Sequence, residues 1–449
     1  MKQTAPIPIG SRRELFVDRY LIDRMENTRL TLHEPISGGK ALVLDRPWEG
    51  PANGPVSVFW FEGRFLLYYR AMRMEPGDDN GLLCVAESKD GETWTKPSLG
   101  LVERKGTKDN NIVGDELGNP LAPAVWLDTR PGVPKSERIK AYAFESSTGK
   151  ALNAFEWPNG QTRMVVWASA DGFLFHKMER QPEAVCDFPN AFDGGNSIFW
   201  SEAEEQYVLY LRYWDEKGRT VARMTSKDFY HWTKAEPMTF EAYEQIYMNN
   251  TLPYYRAPHI YHAIASRFMA GRRVVTREQA EQAGVYSTRG HYYDGDCSDG
   301  ILMTTRAGST HYDRACKETF IRPGIGYGNW TSRTNYPYMG VVPVNDRQMM
   351  LFVNRNYMQD TWHAERLLLR IDGFTSVSAP WEGGRMVTKP LLFEGDKLEI
   401  NFRTGAAGYV RVGLADETGA FYQGFALDDC LEIIGDEIER TVVFANGAS

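Results

Sequence analysis

Short segments in which β-branched or aromatic residues alternate with polar residues recur along the chain up to about Pro380. Many come as pairs joined by a tight turn, as in VSVFWFEGRFLLYYR (56–70), NSIFWSEAEEQYVLYLRY (196–213) and MGVVPVNDRQMMLFVNR (339–355). Alternation of this kind, interrupted by turn residues, is typical of antiparallel β-hairpins. Only TREQAEQAG (276–284) has the composition of a short helix. The pattern therefore predicts an all-β protein.

A turn motif repeats between these segments. Ser, a spacer, Asp-Gly, two residues and an aromatic residue occur in ESKDGETW (87–94) and SADGFLF (169–175), and SKDFYHW (226–232) lacks only the glycine. Degenerate copies are TRAGSTH (305–311) and RIDGFTS (370–376). Aligning these copies gives spacings of 81, 57, 79 and 65 residues, counted between Asp90, Asp171, Asp228, Ala307 and Asp372.

Five such units, each long enough for four antiparallel strands, predict a five-bladed β-propeller. In this interpretation the Ser and Asp of the motif bind backbone amides of the turn, and the aromatic residue packs between blades. The motif is then structural and lies away from any site. The segment ELFVDRYLI (14–22) is predicted to close the ring by pairing within the last blade.

The pattern changes after Pro380. GDKLEINF, GYVRVGLADETG and IERTVVF alternate as sandwich strands do, with acidic segments between them. We therefore expect two domains, a propeller over residues 1–380 and a small, incomplete β-sandwich over residues 381–449.

Composition narrows the classes of partner. The net charge of −8, with no long basic run, argues against a nucleic-acid partner, and no apolar run is long enough for a membrane span. The start MKQTAPIPIG lacks the features of a signal peptide, which predicts a cytoplasmic location for the chain as given. Five scattered cysteines without a CxxC pair predict neither a disulfide framework nor a zinc site. No metal and no cofactor is expected, and the oligomeric state is left open.

The topology of a propeller predicts on which face each acidic residue lies. The connections between blades lie on one face of a propeller, together with the turns between second and third strands, so acids that precede an inner strand share a central funnel. Glu49 and Asp193 precede the inner strands of blades one and three, and Asp115 and Glu116 precede that of blade two. The long loop YYDGDCSDGILM of blade four adds three more acids: Asp294, Asp296 and Asp299.

Two carboxyl groups that flank one bond are what glycoside hydrolysis needs. We therefore predict Glu49 and Asp193 as the acid/base pair, with Asp299 steadying the developing positive charge. Because the first two stand on separate blades, the arrangement favours an inverting reaction. Asp294, Asp296 and Glu116 are the next acids to consider.

Amide, aromatic and guanidinium side chains collect at the same predicted entrances, and these are the groups that bind a polyhydroxylated ring. The predicted carbohydrate-binding residues are Asn53, Arg70, Asn196, Arg212, His259, Trp330, Arg333 and Asn335. Two alternatives stay open. In the first, the asparagines only shape the corners between blades; in the second, His259 is a histidine of the core.

The run PANGPVSVFWFEGRFLLYYR at blade one, the run FDGGNSIFWSEAEEQYVLYLR at blade three and the trailing sandwich resemble the five-bladed propeller glycoside hydrolases around families 32, 43, 68 and 117. Over its full length the chain more closely resembles bacterial family-32-like proteins. This resemblance implies a propeller that acts on carbohydrate. The family's first aspartate corresponds to Pro51 here, with Glu49 two residues earlier, and Asp193 stands where the family has a glutamate.

Three functions are compatible with these observations. A glycoside hydrolase leads. The second is a carbohydrate-binding propeller without catalysis, which the proline at position 51 favours. The third is a glycoside phosphorylase, which needs basic residues near the acids to bind phosphate. Arg70, Arg256 and Arg333 could supply them.

Overall fold

The computed structural model describes residues 5–73, 81–113, 124–146, 162–188, 190–287 and 291–449. The chain divides into two compact units, one of residues 34–369 and one that joins residues 1–33 to residues 370–449. This division differs from the predicted boundary after residue 380, because the amino-terminal strands pair with strands that follow residue 370. In the described residues, no helix has the length and apolar character that crossing a membrane requires.

The smaller unit is built from paired strands, numbered here along the whole chain. Its amino-terminal strands are β1 (Ile7–Gly10), β2 (Ile22–Glu26) and β3 (Arg29–Leu32). Its carboxy-terminal strands are β27 (Thr375–Ser378), β28 (Arg385–Thr388), β29 (Leu391–Phe393), β30 (Glu399–Arg403) and β31 (Asp436–Thr441). The pairs are β1–β29, β2–β28, β3–β27 and β30–β31. A β-sandwich over residues 381–449 stays a prediction.

The larger unit is a five-bladed β-propeller, as the sequence predicts. It begins with β4 (Ile36–Val43). Blade one contains β5 (Gly54–Phe61), β6 (Arg64–Ala71) and β7 (Leu82–Ser88), and its outer edge is completed by the bridges Glu87–Thr95 and Cys84–Ile112. Blade two contains β8 (Ala124–Leu127), β9 (Ile139–Ser146), β10 (Thr162–Ser169), β11 (His176–Lys177) and β12 (Val185–Cys186).

The remaining blades follow the same order. Blade three contains β13 (Ser197–Ser201), β14 (Gln206–Asp215), β15 (Gly218–Ser226) and β16 (Glu236–Pro237). A short parallel pair links β17 (Thr239–Phe240) to β22 (His311–Tyr312). The sheet of blade four contains β18 (Ile246–Met248), β19 (Thr251–Tyr254), β20 (Ala257–Met269) and β21 (Cys297–Arg306). The described α-helix, α1 (Arg277–Gln282), lies between β20 and β21 and begins with a capping box at Thr276, where a helix is predicted.

Blade five closes the ring. It contains β23 (Tyr336–Pro337), β24 (Val342–Pro343), β25 (Gln348–Arg355) and β26 (His363–Arg370), and its outermost strand is β4. The prediction that residues 14–22 close the ring is therefore wrong. Closure does come from the amino-terminal side, but through a strand that begins at Ile36, because β4 pairs with β26 along His363–Leu368.

The repeated turns hold the blades as expected. In blade one, Asp90 Oδ1 accepts the amides of Glu92 and Thr93 and the hydroxyl of Ser88, and Ser88 Oγ accepts the amide of Gly91. The same contacts recur around Asp171, and those of the aspartate recur around Asp228. Backbone amides bind the charged form, so the pKa of Asp90 falls to about 2. The motif is structural.

Candidate functional site

One face of the propeller collects the starts of the inner strands β5, β13, β19 and β23 and the ends of the second strands β6, β14, β20 and β25. We call its centre the mouth. Successive inner strands are neighbours around the axis, and the bridge between Ser57 and Met339 joins blade five to blade one. Loops from different blades therefore meet at the mouth.

Aromatic rings and guanidinium groups dominate the mouth. The members of this mouth cluster are Arg70, Arg212, Arg219, Tyr247, Tyr293, Arg333, Tyr336 and Tyr357. The rings of Tyr247 and Tyr336 lie 4.9 Å apart between centroids, and those of Tyr293 and Tyr357 lie 5.7 Å apart. Tyr293, Tyr336 and Tyr357 are buried, so the partly exposed ring of Tyr247 is the one of these four against which the CH face of a sugar can pack.

The arginines of this cluster lie against its rings. The guanidinium carbons of Arg212 and Arg219 are 4.8 and 5.4 Å from the centroid of Tyr247, and that of Arg333 is 5.5 Å from the centroid of Tyr293. These distances are within the range of cation–π attraction. The rings thus position charged groups at the mouth without occupying their N–H donors.

Asp296 is an acidic residue close to the arginines of the mouth cluster. It directly precedes β21, and its Oδ1 is buried without a hydrogen-bond partner in the described part of the chain. Burial raises the pKa of the Asp296 carboxyl, although a hydrogen bond with Ser332 and the charges of Arg333, His291 and Arg219 act in the opposite direction. A carboxyl group with a raised pKa is a suitable proton donor.

Asp193 lies near the same arginines. Its Oδ2 is 3.1 Å from Nη1 of Arg212, and 31% of its side chain is exposed. Arg212 also donates to the carbonyl of Tyr247. Arg219 lies within electrostatic range of both Asp193 and Asp296, so the two carboxyl groups lie near the same guanidinium.

Glu49 has a different environment. Its side chain has no exposed surface, Oε1 lies 2.5 Å from the hydroxyl of Tyr69 and 2.6 Å from Nζ of Lys96, and Oε2 accepts the amides of Asp45 and Arg46. Every oxygen of this carboxylate is engaged within blade one. Its predicted role in acid/base chemistry stays a prediction, and its contacts favour a structural charge.

Asp299 is also fully engaged. Both oxygens face the guanidinium of Arg267, at 2.8 and 2.5 Å, and Oδ2 accepts the hydroxyl of Thr319 at 2.6 Å. Arg267 bridges further to Glu244. This network ties β21 to β20, and it leaves Asp299 little capacity to stabilise a cation on a substrate.

The predicted asparagines mainly hold the backbone. Asn196 accepts the amide of Arg212 and donates to the carbonyls of Phe192 and Gly194. Asn335 donates to two carbonyls and accepts from Arg355, and Asn53 accepts two backbone amides. These contacts favour the alternative in which asparagines shape the corners between blades. The Nδ2 of Asn53 is buried without a hydrogen-bond partner in the described residues.

The other predicted residues separate. Arg70, Arg212 and Arg333 belong to the mouth cluster, and Trp330 lies in the short 3₁₀ helix Tyr327–Trp330, donating to the carbonyl of Gly324. His259 lies at the opposite end of blade four, where its carbonyl accepts the amide of Ala307. The strand between that end and Asp296 spans about 30 Å at roughly 3.3 Å per residue. Asp115 and Glu116 fall outside the described residues.

A rim depression of about 780 Å³ opens beside the mouth and is lined by Asn190, Tyr213, Trp214, Asp215, Glu216 and Lys217. The hairpin between β14 and β15 supplies most of it. Arg219 connects the rim to the mouth, since its guanidinium carbon is 4.7 Å from the ring of Trp214 and 5.4 Å from that of Tyr247.

Sequence reasoning did not identify Arg219, Tyr247, Tyr293 and Tyr357 as part of the site. A signal existed for Arg219, because it follows the turn between the second and third strands of blade three, a turn assigned to the entrance face. Among the described residues, no group of three or more His, Cys, Asp or Glu side chains is placed to hold a metal ion.

No protein-family model matches the sequence, and no curated protein matches it. Several solved structures are similar to the chain. One, described as a glycoside hydrolase, has 13% sequence identity and a TM-score of 0.45, with coverage of 78% of this chain and 95% of that chain. A mannose phosphorylase from Leishmania mexicana in complex with phosphate ion has 8% identity, a TM-score of 0.43 and coverage of 77% and 92%. The Penicillium chrysogenum α-L-arabinanase complexed with arabinobiose has 11% identity, a TM-score of 0.40 and coverage of 77% and 99%. At such identities the similarity concerns the fold alone.

Proposed function

We propose that the protein is a carbohydrate-active enzyme that hydrolyses a glycosidic bond at the propeller mouth. The observation that carries the proposal is the environment of Asp296: one carboxyl oxygen is buried without a hydrogen-bond partner among the described residues, and Arg219 and Arg333 lie within electrostatic range of it. A carboxyl group whose pKa is raised is better able to donate the proton that departure of a sugar oxygen requires.

In the proposed reaction Asp296 donates its proton to the glycosidic oxygen as the bond to the anomeric carbon breaks. Asp193 accepts a proton from the water molecule that attacks this carbon. Asp193 suits this role because Arg212 holds its carboxylate in place while part of its surface remains open to water. The two acids thereby take opposite roles, as two-carboxylate hydrolysis demands.

The tyrosines contribute to substrate binding in this proposal. Tyr247 is partly exposed at the mouth, and burial of a sugar's CH face against its ring orients the bond toward the acid. Carbohydrate is therefore the partner that the mouth is suited to. Trp214 at the rim extends the same surface.

Leaving-group dependence tests the proposal. A panel of oligosaccharides identifies a substrate, after which Asp296→Asn and Asp193→Asn are compared on that substrate and on an aryl glycoside of the same sugar with an acidic phenol as leaving group. We expect Asp296→Asn to lose roughly 10²-fold or more in rate on the natural linkage but little on the aryl glycoside, because an acidic phenol departs without protonation. Asp193→Asn should slow both.

Asp346→Asn is the matched control, since Asp346 is exposed in the turn between β24 and β25, at the opposite end of blade five from the mouth. Equal activity of Asp296→Asn and wild type on the natural linkage would remove the proposed proton donor. Absence of cleavage across the whole panel, combined with sugar binding, would favour the binding propeller instead.

A further inference from the structure

The mouth holds more positive than negative charge. Four arginines reach it, Arg70, Arg212, Arg219 and Arg333, and two acidic side chains accompany them, Asp193 and Asp296. Burial moves one of these acids, Asp296, toward its neutral form by raising its pKa. The described part of the mouth therefore carries a net positive charge, although the whole chain carries a net charge of −8.

Three of the four guanidinium groups form no ion pair within the described part of the chain. Arg212 pairs with Asp193 at 3.1 Å, whereas in the described ranges of the chain no carboxylate lies at ion-pair distance from Arg70, Arg219 or Arg333. The Nε atoms of Arg70 and Arg219 are also buried without a hydrogen-bond partner among those residues. Buried N–H donors without acceptors are costly, and native structures seldom leave them so.

Nη1 of Arg219 donates to Oε1 of Gln245 at 3.0 Å, and the remaining donors stay available because of the way these arginines are held. Arg219 and Arg333 lie over the rings of Tyr247 and Tyr293 at 5.4 and 5.5 Å, so cation–π attraction fixes the guanidinium planes. Arg333 also has a φ of 59°, a conformation that is uncommon for a residue with a side chain and that concentrates at ligand sites. A structural arginine would have its N–H groups in a network, as Arg267 has with Asp299 and Glu244.

We propose that the mouth binds an anion alongside the scissile sugar, with Arg70, Arg219 and Arg333 as its donors. Carboxylate and phosphate oxygens are the acceptors that match the guanidinium fork. The anion has two possible sources, the carboxylate of a uronic-acid residue in the substrate or free inorganic phosphate. The proposal rests on the proposed function only for its location at the bond that is cleaved.

Binding measurements on the Asp296→Asn variant separate the sources, because the sugars then persist during titration. Calorimetry at low salt compares methyl glucuronide and methyl galacturonide with methyl glucoside and methyl galactoside, and titrates inorganic phosphate alone. Tighter binding of a uronide than of its neutral counterpart, by at least about tenfold, supports a charged sugar. Binding of phosphate, with the two sugar classes equal, supports free phosphate. Equal binding of the sugar classes and no phosphate binding overturns the proposal.

Arginine variants locate the anion. Arg219→Gln and Arg333→Gln should each weaken binding of the anion by about tenfold or more, whereas Arg347→Gln, an exposed arginine in the turn before β25, should not change it. Binding unaltered in both mouth variants would overturn the assignment. Raised salt should weaken anion binding in the protein with all its arginines, which provides a readout even where a variant fails to fold.

The outcome is separable from that of the proposed function. Cleavage of a neutral oligosaccharide without anion binding would remove this inference and keep the hydrolase. Anion binding without cleavage of any glycoside would keep the cationic site and remove the hydrolase.

Discussion

Lys96 and Glu49 form an ion pair inside blade one, with 2.6 Å between Nζ and Oε1 and with 6% and 0% of their side chains exposed. Such a pair has little access to water, so removing one partner leaves the other charge uncompensated. The pair gives Glu49 a function that needs no substrate.

We therefore expect Glu49→Gln to reduce the free energy of unfolding by roughly 2–3 kcal/mol, somewhat less than for a fully isolated pair because Lys96 keeps its contact with Asp45. Urea denaturation at neutral pH measures the change. The matched control is Asp45→Asn, which removes the exposed partner of the same lysine and should cost less than about 1 kcal/mol. Equal stability of Glu49→Gln and wild type, with loss of glycoside cleavage, would instead restore Glu49 as a catalytic acid.

Asp296 should make the protein less stable as the pH rises. Its folded-state pKa is raised by burial, whereas in the unfolded chain it titrates near about 3.9. The ionisation of Asp296 therefore has no effect on stability below the unfolded pKa. It lowers stability as the pH rises from the unfolded to the folded pKa, and above the folded pKa the loss stays constant. Asp296→Asn should raise the melting temperature at pH 7 and leave it unchanged near pH 3. A variant less stable than wild type at neutral pH would contradict this assignment.

Asp90 should act in the opposite direction. Its pKa is lowered to about 2 by amides of its turn, so its contribution is complete above the unfolded pKa of about 3.9 and is lost as the pH falls toward 2. We expect Asp90→Ala to lower the melting temperature at pH 6, with a smaller difference at pH 3. Asp346→Ala, in a turn of blade five, is the control; a difference for Asp90→Ala that does not depend on pH would rule out the charged form as the cause.

Gly172 allows blades one and two to approach. It has a φ of 84°, the hydroxyl of Tyr68 donates to its carbonyl at 2.8 Å, and a Cβ there would collide with the same hydroxyl. Gly172→Ala should cost about 2 kcal/mol or more, from a strained backbone together with this collision. Gly132→Ala isolates the strain, since Gly132 has a φ of 83° and open space around it. Urea denaturation measures the free energy of unfolding of both variants, and the difference between them gives the cost of the collision between blades. Equal values would mean that the two blades move apart at no cost.

The features that the sequence predicted are those with local causes. The Ser-x-Asp-Gly turn satisfies its own amides, so Asp90 and Asp171 reveal both their place and their role without reference to distant residues. Hairpin alternation predicted the blades in the same way. The closing strand was missed because β4 is defined by its partner β26, more than 300 residues later in the chain.

The candidate site was predicted only in part, since a carboxylate's chemistry depends on its neighbours in space. Glu49 and Asp296 look alike as loop acids near strand starts, yet Lys96 and Tyr69 bind the Glu49 carboxylate, whereas one oxygen of Asp296 has no hydrogen-bond partner in the ranges that the structure describes. Arg212 and Arg333 were found because they lie at predicted entrances to the central funnel. Tyr247 and Tyr293 carry no comparable signal, because aromatic residues are frequent throughout the blades.

The pairing of β4 with β26 has a consequence for synthesis. The ribosome makes β4 near the beginning of the propeller and β26 at its end, so at roughly 5–20 residues per second β4 waits for tens of seconds without its partner. An unpaired edge strand invites association between nascent chains. The sequence of β4, ISGGKALV, limits this hazard with two glycines and a lysine. The strand that completes the ring is thus also the one that must avoid pairing with other chains until the ring can close.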